Sequence, residues 1–492
     1  MADETVPVEV KHTQLFIGGR FVSSISGRTF PTYDPRSGDI ITYISEGDQE
    51  DVDSAVKVAR EAFDKGPWPR MTGYERGRLL FKLADLLEQH SDEIVALEAL
   101  DNGKPVVIAQ MVHVLTIKYL RSQAGWADKI AGQTLKVDGP FHAFTLLEPI
   151  GVVGQILPWN FPTYMFITKL SCALTCGNTV VVKPAEQTPL STLFCAHLVA
   201  EAGIPAGVVN VVPGYGPTAG AAIGRHMEID KLVFTGSTEV GRLLMEASAK
   251  SNLKPLTLEL GGKSPLIIFD DADVDEAVAV ADGGIFFNMG QVCTAGSRVY
   301  VQEGVYDEFL EKAVKRAQQK VIGDPFKAGV NHGPQVDQAQ FDNILHYIAL
   351  GKEQGANLVT GGKRSGVKGM FVEPTIFADV KDDMSIARDE IFGPVMSVMK
   401  FKTLEEVLER ANGTIYGLAA GVMTKNIDLA NRVTRALKAG TVWVNTYNVL
   451  DPAVPFGGYK MSGFGRENGL RGLQEYMQTK SVITRLVLPS WL

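Results

Sequence analysis

Apolar residues along this chain gather into short runs that are hydrophobic on both faces, with stretches of helical apolar spacing between them. Such runs occur at 152–157, 179–182, 208–212, 232–234 and 266–269. Strands buried on both sides read this way, and their alternation with helices predicts a parallel α/β sheet. The first four end in loop residues: Pro158-Trp159-Asn160, Lys183-Pro184, Pro213-Gly214 and Thr235-Gly236. Open α/β sheets bind their ligands beyond that end of the strands. After Phe269 a second alternation predicts strands near 299–301, 395–401, 418–423 and 442–445, and with them a second α/β domain.

Upstream, Leu15-Phe16-Ile17 and Arg20-Phe21-Val22 flank Gly18-Gly19, a two-residue hairpin signal. Amphipathic helices are expected between about 49 and 130, where they would cover the first sheet. Two more segments, 141–147 and 481–488, alternate like strands yet fall in neither domain. Exposed strands of that kind need a pairing partner. Residues 1–10 are expected to be mobile.

Composition bounds the function. The 492 residues exceed one compact core and suggest two or three units. A net charge of −8 without a basic run argues against nucleic acid as a partner. No apolar stretch reaches the roughly 18 residues of a membrane span, so no membrane partner is expected either. The acidic start, Met1-Ala2-Asp3-Glu4-Thr5, lacks the pattern of a secretory or transit signal, and the cytosol is the expected location. Four cysteines (Cys172, Cys176, Cys195 and Cys293) are too few for a disulfide framework and fit a reducing compartment. Cys172 and Cys176 would share a helical face, but no second pair or suitably spaced histidine accompanies them. No metal is expected.

The candidate chemistry lies in two glycine-containing runs. Cys293 stands in Phe286-Phe287-Asn288-Met289-Gly290-Gln291-Val292-Cys293-Thr294, and Glu259 stands in Leu258-Glu259-Leu260-Gly261-Gly262-Lys263. A thiol nucleophile and a carboxylate base suit covalent catalysis at a carbonyl. Turn or helix-end amides beside Cys293 are expected to favour its thiolate. The two runs resemble the signature segments of the NAD(P)-dependent aldehyde dehydrogenase superfamily, and further similar runs extend from Leu15 to Lys480. The resemblance is greatest to the class 1/class 2 tetrameric members, and among them to the cytosolic plant branch associated with coniferaldehyde and sinapaldehyde.

That resemblance implies an α/β fold of three parts. They are a Rossmann-like NAD-binding domain (1–130 with 150–261), an α/β catalytic domain (262–461) and a small β oligomerisation flap (131–149 with 475–492) that pairs with a neighbouring subunit. It also implies a homodimer or homotetramer acting on a small aldehyde, with Cys293 as nucleophile, Glu259 as base for hydrolysis of the thioester, and the Asn160 amide as oxyanion donor.

NAD is the implied cofactor. Gly236 and Ser237 open a helix after a strand, where main-chain amides and the Ser237 hydroxyl suit a pyrophosphate. Lys183 and Glu186 match the adenosine-ribose contacts, and the Glu186 carboxylate would repel a 2′-phosphate, favouring NAD over NADP. Glu390, Phe392 and Gln340 match contacts to the nicotinamide riboside. Ile156, Leu157, Pro158, Trp159, Gly216, Val240 and Leu260 complete the implied cofactor site. Leu115, Phe161, Thr168, Val292, Thr294, Asn448, Leu450 and Phe456 match the substrate tunnel. Many relatives carry Trp where Thr168 stands, which implies a wider tunnel here and a bulky or aromatic aldehyde. Aliphatic, betaine and retinal aldehydes stay open as alternatives, Trp159 and Tyr164 being candidates for part of an aromatic cage. A catalytically silent structural protein on the same fold also stays open.

Overall fold

The computed structural model describes residues 8–487. Two large sheets carry most of the chain. In the first, five parallel strands lie in the spatial order Leu256–Glu259, Lys231–Thr235, Val152–Ile156, Thr179–Lys183, Val209–Val211. The chain starts at the central strand Val152–Ile156, builds outward on one side, then crosses over to build the other. The reversal falls between Val152–Ile156 and Lys231–Thr235, and loops leaving the carboxyl ends of those strands diverge to leave a crevice.

The hairpin Leu15–Ile17/Arg20–Val22 adds antiparallel to one edge, with Gly18 and Gly19 at φ +64° and +79°, as its tight turn requires. Gly463–Phe464 closes the other edge against Leu256–Glu259. Four helices, Gln49–Asp64, Gly73–Gln89, Ser91–Asn102 and Val106–Ala124, occupy the expected region. Asp48 and Thr72 cap the first two through reciprocal bonds with Asp51 and Glu75. Their apolar faces, with Leu80, Leu83, Leu87 and Leu120, join the core that includes Val180 and Val182.

The second sheet runs Asn357–Thr360, Thr375–Ala378, Val395–Phe401, Arg298–Gln302, Pro265–Ile268, Ala419–Met423, Thr441–Val444, parallel except for its first pair. One expectation is corrected here. The apolar run at 266–269, read as part of the first alternation, forms Pro265–Ile268 at the middle of the second sheet. The fifth parallel strand of the first sheet is instead Leu256–Glu259. That strand is short and polar at Thr257 and Glu259, so it lacks the apolar run that marked the others.

The two segments left over from the sequence reading pair with each other. Met477–Arg485 runs antiparallel to Phe141–Pro149 from Met477↔Pro149 to Arg485↔Phe141, and Thr134–Leu135 adds a third strand. Residues 488–492 of the expected flap and 1–7 of the expected mobile start lie outside the described residues. Among the described residues no helix is long and apolar enough to cross a membrane.

Candidate active site

The site forms where opposite ends of the two sheets meet. The first sheet presents carboxyl ends: residues 157–160 after Val152–Ile156, Gly236-Ser237 after Lys231–Thr235, and Glu259 itself. The second presents amino ends: Gly262 ahead of Pro265–Ile268, Cys293 ahead of Arg298–Gln302, and Glu390 and Phe392 ahead of Val395–Phe401. The backbones approach so closely that side chains are excluded. A Cβ on Gly262 would sit 2.4 Å from the Cys293 carbonyl oxygen, and one on Gly261 would sit 2.2 Å from Glu390 Oε2. Gly262 N–H donates to Glu390 Oε1 at 2.9 Å.

Cys293 lies at the junction of two cavities. One, of about 340 Å³, is a largely apolar tunnel. Leu115, Phe161, Val292, Thr294, Asn448, Leu450 and Phe456 line it, joined by Met111, Tyr164, Met165, Phe287 and Glu467. Phe161 and Phe287 stack with centroids 6.1 Å apart. The other is a cleft of about 260 Å³ at the strand-order reversal, lined by Pro158, Trp159, Asn160, Thr235, Gly236, Ser237, Leu260, Gln340, Asn343, Glu390 and Phe392. Its walls are braced: the Trp159 carbonyl accepts from Asn102 Nδ2 (2.8 Å) and Thr188 Oγ1 (3.2 Å). Gln340 Nε2 donates to the carbonyls of Ile391 (3.0 Å) and Phe392 (2.8 Å), fixing Phe392 at φ +56°.

The side chains around the thiol carry the chemistry. Glu259 is buried, with Oε2 accepting from Thr235 Oγ1 at 3.1 Å and Oε1 without a protein partner. Burial, then the nearby Glu467, pushes its carboxyl up to about 7. Glu467 in turn is ion-paired with the buried Lys169 of helix Pro162–Thr175. Burial, then Glu259, holds the Cys293 thiol well above the usual range. The local amides expected to favour the thiolate are outweighed by this burial. Cys293 follows a tight turn rather than opening a helix, and of the main-chain groups only the bond with Thr294 pulls its thiol down. Burial likewise raises Glu390 to about 7, against the pull of Gly262 and Lys263.

Several expected residues sit elsewhere or act differently. Thr168 does not line the tunnel. It is buried deeper along the helix that supplies Tyr164 and Met165, its short side chain turned back so that Oγ1 donates to the Met165 carbonyl. Ile156 and Leu157 send their side chains into the cores on either side of the sheet, leaving only main chain near the cleft. The Ser237 hydroxyl accepts from Val240 N–H at 3.2 Å as the cap of helix Thr238–Ala249, and Val240 is exposed. Lys183 bonds Glu186 at 3.0 Å, and Glu186 lines an adjoining cleft with Phe30, Tyr33 and Tyr215. Gly216 faces open space on its Cβ side. Trp159 faces the cleft and Tyr164 the tunnel, so the two do not share an aromatic cage. The sequence reading missed Lys169, Thr235 and Glu467, whose roles arise from contacts between distant segments.

The cleft suits a dinucleotide. It lies at the strand-order reversal, the start of helix Thr238–Ala249 borders it, and the Glu186 carboxylate stands in the adjoining pocket.

Comparison with known proteins agrees with this geometry. The model of the aldehyde dehydrogenase family matches residues 21–482. Benzaldehyde dehydrogenase, mitochondrial, of Antirrhinum majus is 59% identical over 99% of this chain and 91% of its own length. Aldehyde dehydrogenase family 2 member B4, mitochondrial, of Arabidopsis thaliana is 57% identical over 99% and 90%. The NAD+ complex structure of an aldehyde dehydrogenase from Bacillus cereus superposes with a TM-score of 0.95 at 51% identity, covering 96% of this chain and 97% of that one. The cytosolic location expected from the acidic start is corrected by these matches, since both plant relatives are mitochondrial by name.

Proposed function

The chain belongs to the aldehyde dehydrogenase family and is an NAD-dependent aldehyde dehydrogenase; from that premise we propose that it oxidises bulky or aromatic aldehydes, of the benzaldehyde or hydroxycinnamaldehyde kind, to carboxylic acids. The observation that carries this reading is the meeting of an apolar, aromatic-walled tunnel and the cleft at the strand-order reversal at one half-buried cysteine, Cys293. The flat ring of such an aldehyde suits the stacked Phe161 and Phe287, and the relative from Antirrhinum majus is a benzaldehyde dehydrogenase by name. The mitochondrial names of these two plant relatives favour a mitochondrial setting.

The proposed chemistry follows from the groups around the thiol. Glu259 takes the Cys293 proton, and the sulfur attacks the aldehyde carbon. The oxygen that gains negative charge is met by the Asn160 amide and the Cys293 N–H. NAD, when bound, supplies the hydride acceptor; Pro158, Trp159, Gly236, Ser237, Glu390 and Phe392 would hold it in the cleft, with Lys183 and Glu186 at the adenosine end. Loss of hydride from the carbon leaves an acyl group on Cys293 as a thioester. Glu259, its proton passed on toward solvent, then takes one from water, whose oxygen attacks the acyl carbon; the acid is released and the leaving sulfur regains its proton from Glu259.

The same reading assigns 1–130 with 150–261 to cofactor binding, 262–461 to catalysis, and 131–149 with 475–492 to self-association. The test is kcat/KM with NAD for coniferaldehyde, benzaldehyde, acetaldehyde and betaine aldehyde, beside Cys293→Ala. Preference for the two aromatic aldehydes, abolished in the variant, is expected. Preference for acetaldehyde would remove the substrate assignment and leave the chemistry.

A further inference from the structure

The turn that delivers Cys293 has an unusual backbone. Asn288 (φ +48°, ψ +39°), Met289 (φ +55°, ψ +29°) and Gly290 (φ +76°) are three consecutive residues in the left-handed region. Residues with a Cβ enter that region singly, and a run is disfavoured at each step. Something must hold the run in place.

The hydrogen bonds show what does. Asn288 Nδ2 donates to the carbonyl of Asn160 at 3.2 Å and to the carbonyl of Gln291 at 3.4 Å. The same Gln291 carbonyl accepts from Asn160 Nδ2 at 2.9 Å. Gln291 N–H returns to the Asn288 carbonyl at 3.0 Å, and Gln291 Oε1 accepts from Val336 N–H at 3.0 Å. Asn160, Asn288 and Gln291 are all almost fully buried, so water does not substitute for these bonds. They close a ring between two loops that come from different sheets, one carrying Asn160 and the other Cys293.

We propose that Asn288 is a positioning residue for aldehyde oxidation: its side-chain amide ties the Asn160 loop to the turn ahead of Cys293 and thereby sets where the Asn160 amide points. The proposal rests on the assignment of Asn160 and Cys293 given above. One N–H of Asn160 is spent on Gln291, and Asn160 Oδ1 is buried without a partner, so the direction of the second N–H depends on where the Gln291 carbonyl stands. Asn288 holds that carbonyl and the main chain of Asn160 at once. An error of about 1 Å at such a donor is enough to cost catalysis without unfolding anything.

Two substitutions separate the amide from the backbone. Asn288→Gly accepts the left-handed conformation more readily and removes the amide. Asn288→Asp keeps the size and tolerance of that conformation but presents a carboxylate with no N–H. Both are compared with wild type as full-length protein, using kcat and KM for benzaldehyde and NAD. The effect on kcat of replacing the aldehydic hydrogen by deuterium, the rate of Cys293 alkylation by iodoacetamide, and thermal unfolding complete the set.

The expected result is that both variants lose roughly 10- to 100-fold in kcat, since misaiming a donor forfeits part of what deleting it would. KM for NAD and the alkylation rate stay near wild type, and the deuterium effect on kcat grows because hydride loss becomes the slow step. A Gly variant with wild-type kcat and deuterium effect would overturn the proposal and leave Asn288 as a conformational requirement only. A collapse of alkylation and unfolding temperature together with kcat in both variants would overturn it equally. Absence of NADH formation by the wild-type protein with every aldehyde tried would instead defeat the functional reading beneath it.

Discussion

Glu259 shows how burial converts an ordinary carboxylate into a base. A carboxyl that titrates near 7 is largely ionised only above neutrality, so thioester hydrolysis is expected to rise with pH through about 7 and then level off. The sign follows from the raised value: the active form is the deprotonated one, lost as pH falls. Glu259→Gln should slow both the first turnover of NADH, which needs the Cys293 proton removed, and the steady rate, the latter by about 10²- to 10⁴-fold. Stopped-flow absorbance resolves the two phases, and a variant whose steady rate matched wild type would remove Glu259 from hydrolysis. At this scale the sequence was legible wherever a residue's role is announced by its neighbours, as for Cys293, Glu259 and Asn160. Glu467 and Lys169 stand in unremarkable surroundings, and their influence on Glu259 appears only when distant segments fold together. Thr168, matched to the tunnel wall, carries a side chain too short to reach it, so its absence from the lining was not legible from the matched position alone.

Between elements, contact distances decide which substitutions the site tolerates. Gly290 packs its α-carbon against the loop ahead of Val395–Phe401, and a Cβ there would lie 2.1 Å from the Gly393 carbonyl oxygen while φ is +76°. Gly290→Ala must therefore push the nucleophile's turn away from the loop holding Phe392. The expected outcome is loss of activity with weaker cofactor binding, read from the quenching of Trp fluorescence on titration with NADH. Unchanged binding would mean the two loops move independently. Strands buried on both faces were readable because such burial demands an uninterrupted apolar run. Leu256–Glu259 was not, since Thr257 and Glu259 break its apolar run, and Thr29–Tyr33/Ile40–Ser45 was not, since the apolar Tyr33, Ile40 and Tyr43 are exposed while the polar Thr32 and Ser45 are buried. The fate of 266–269 turned on a crossover at Gly261-Gly262, where nothing in the hydrophobic pattern marks a change of sheet.

For the whole molecule, the sheet of Thr134–Leu135, Phe141–Pro149 and Met477–Arg485 poses a question of solvation. Met477–Arg485 lies at an edge of this three-stranded sheet, and Ile483 on it is 67% exposed, as are the nearby Phe141 and Leu146 to a lesser degree. An exposed edge strand with apolar side chains is a hazard unless another chain covers it. The large sheets end in shorter strands, Arg20–Val22 and Gly463–Phe464 in the first and Asn357–Thr360 and Thr441–Val444 in the second, where Phe464 and Val444 are 43% and 37% exposed. Met477–Arg485 is the longest of these edge strands, so the proposed self-association predicts that a second copy covers it, with closed symmetry giving a dimer or a pair of dimers. Light scattering on the eluting protein should give two or four times the 53.3 kDa of one chain. Charging the exposed face with Ile483→Lys should shift that mass downward while leaving far-ultraviolet dichroism unchanged, because the substituted side chain supports no part of either core. A wild-type protein that runs as a single chain would leave the edge exposed and refute self-association through this sheet.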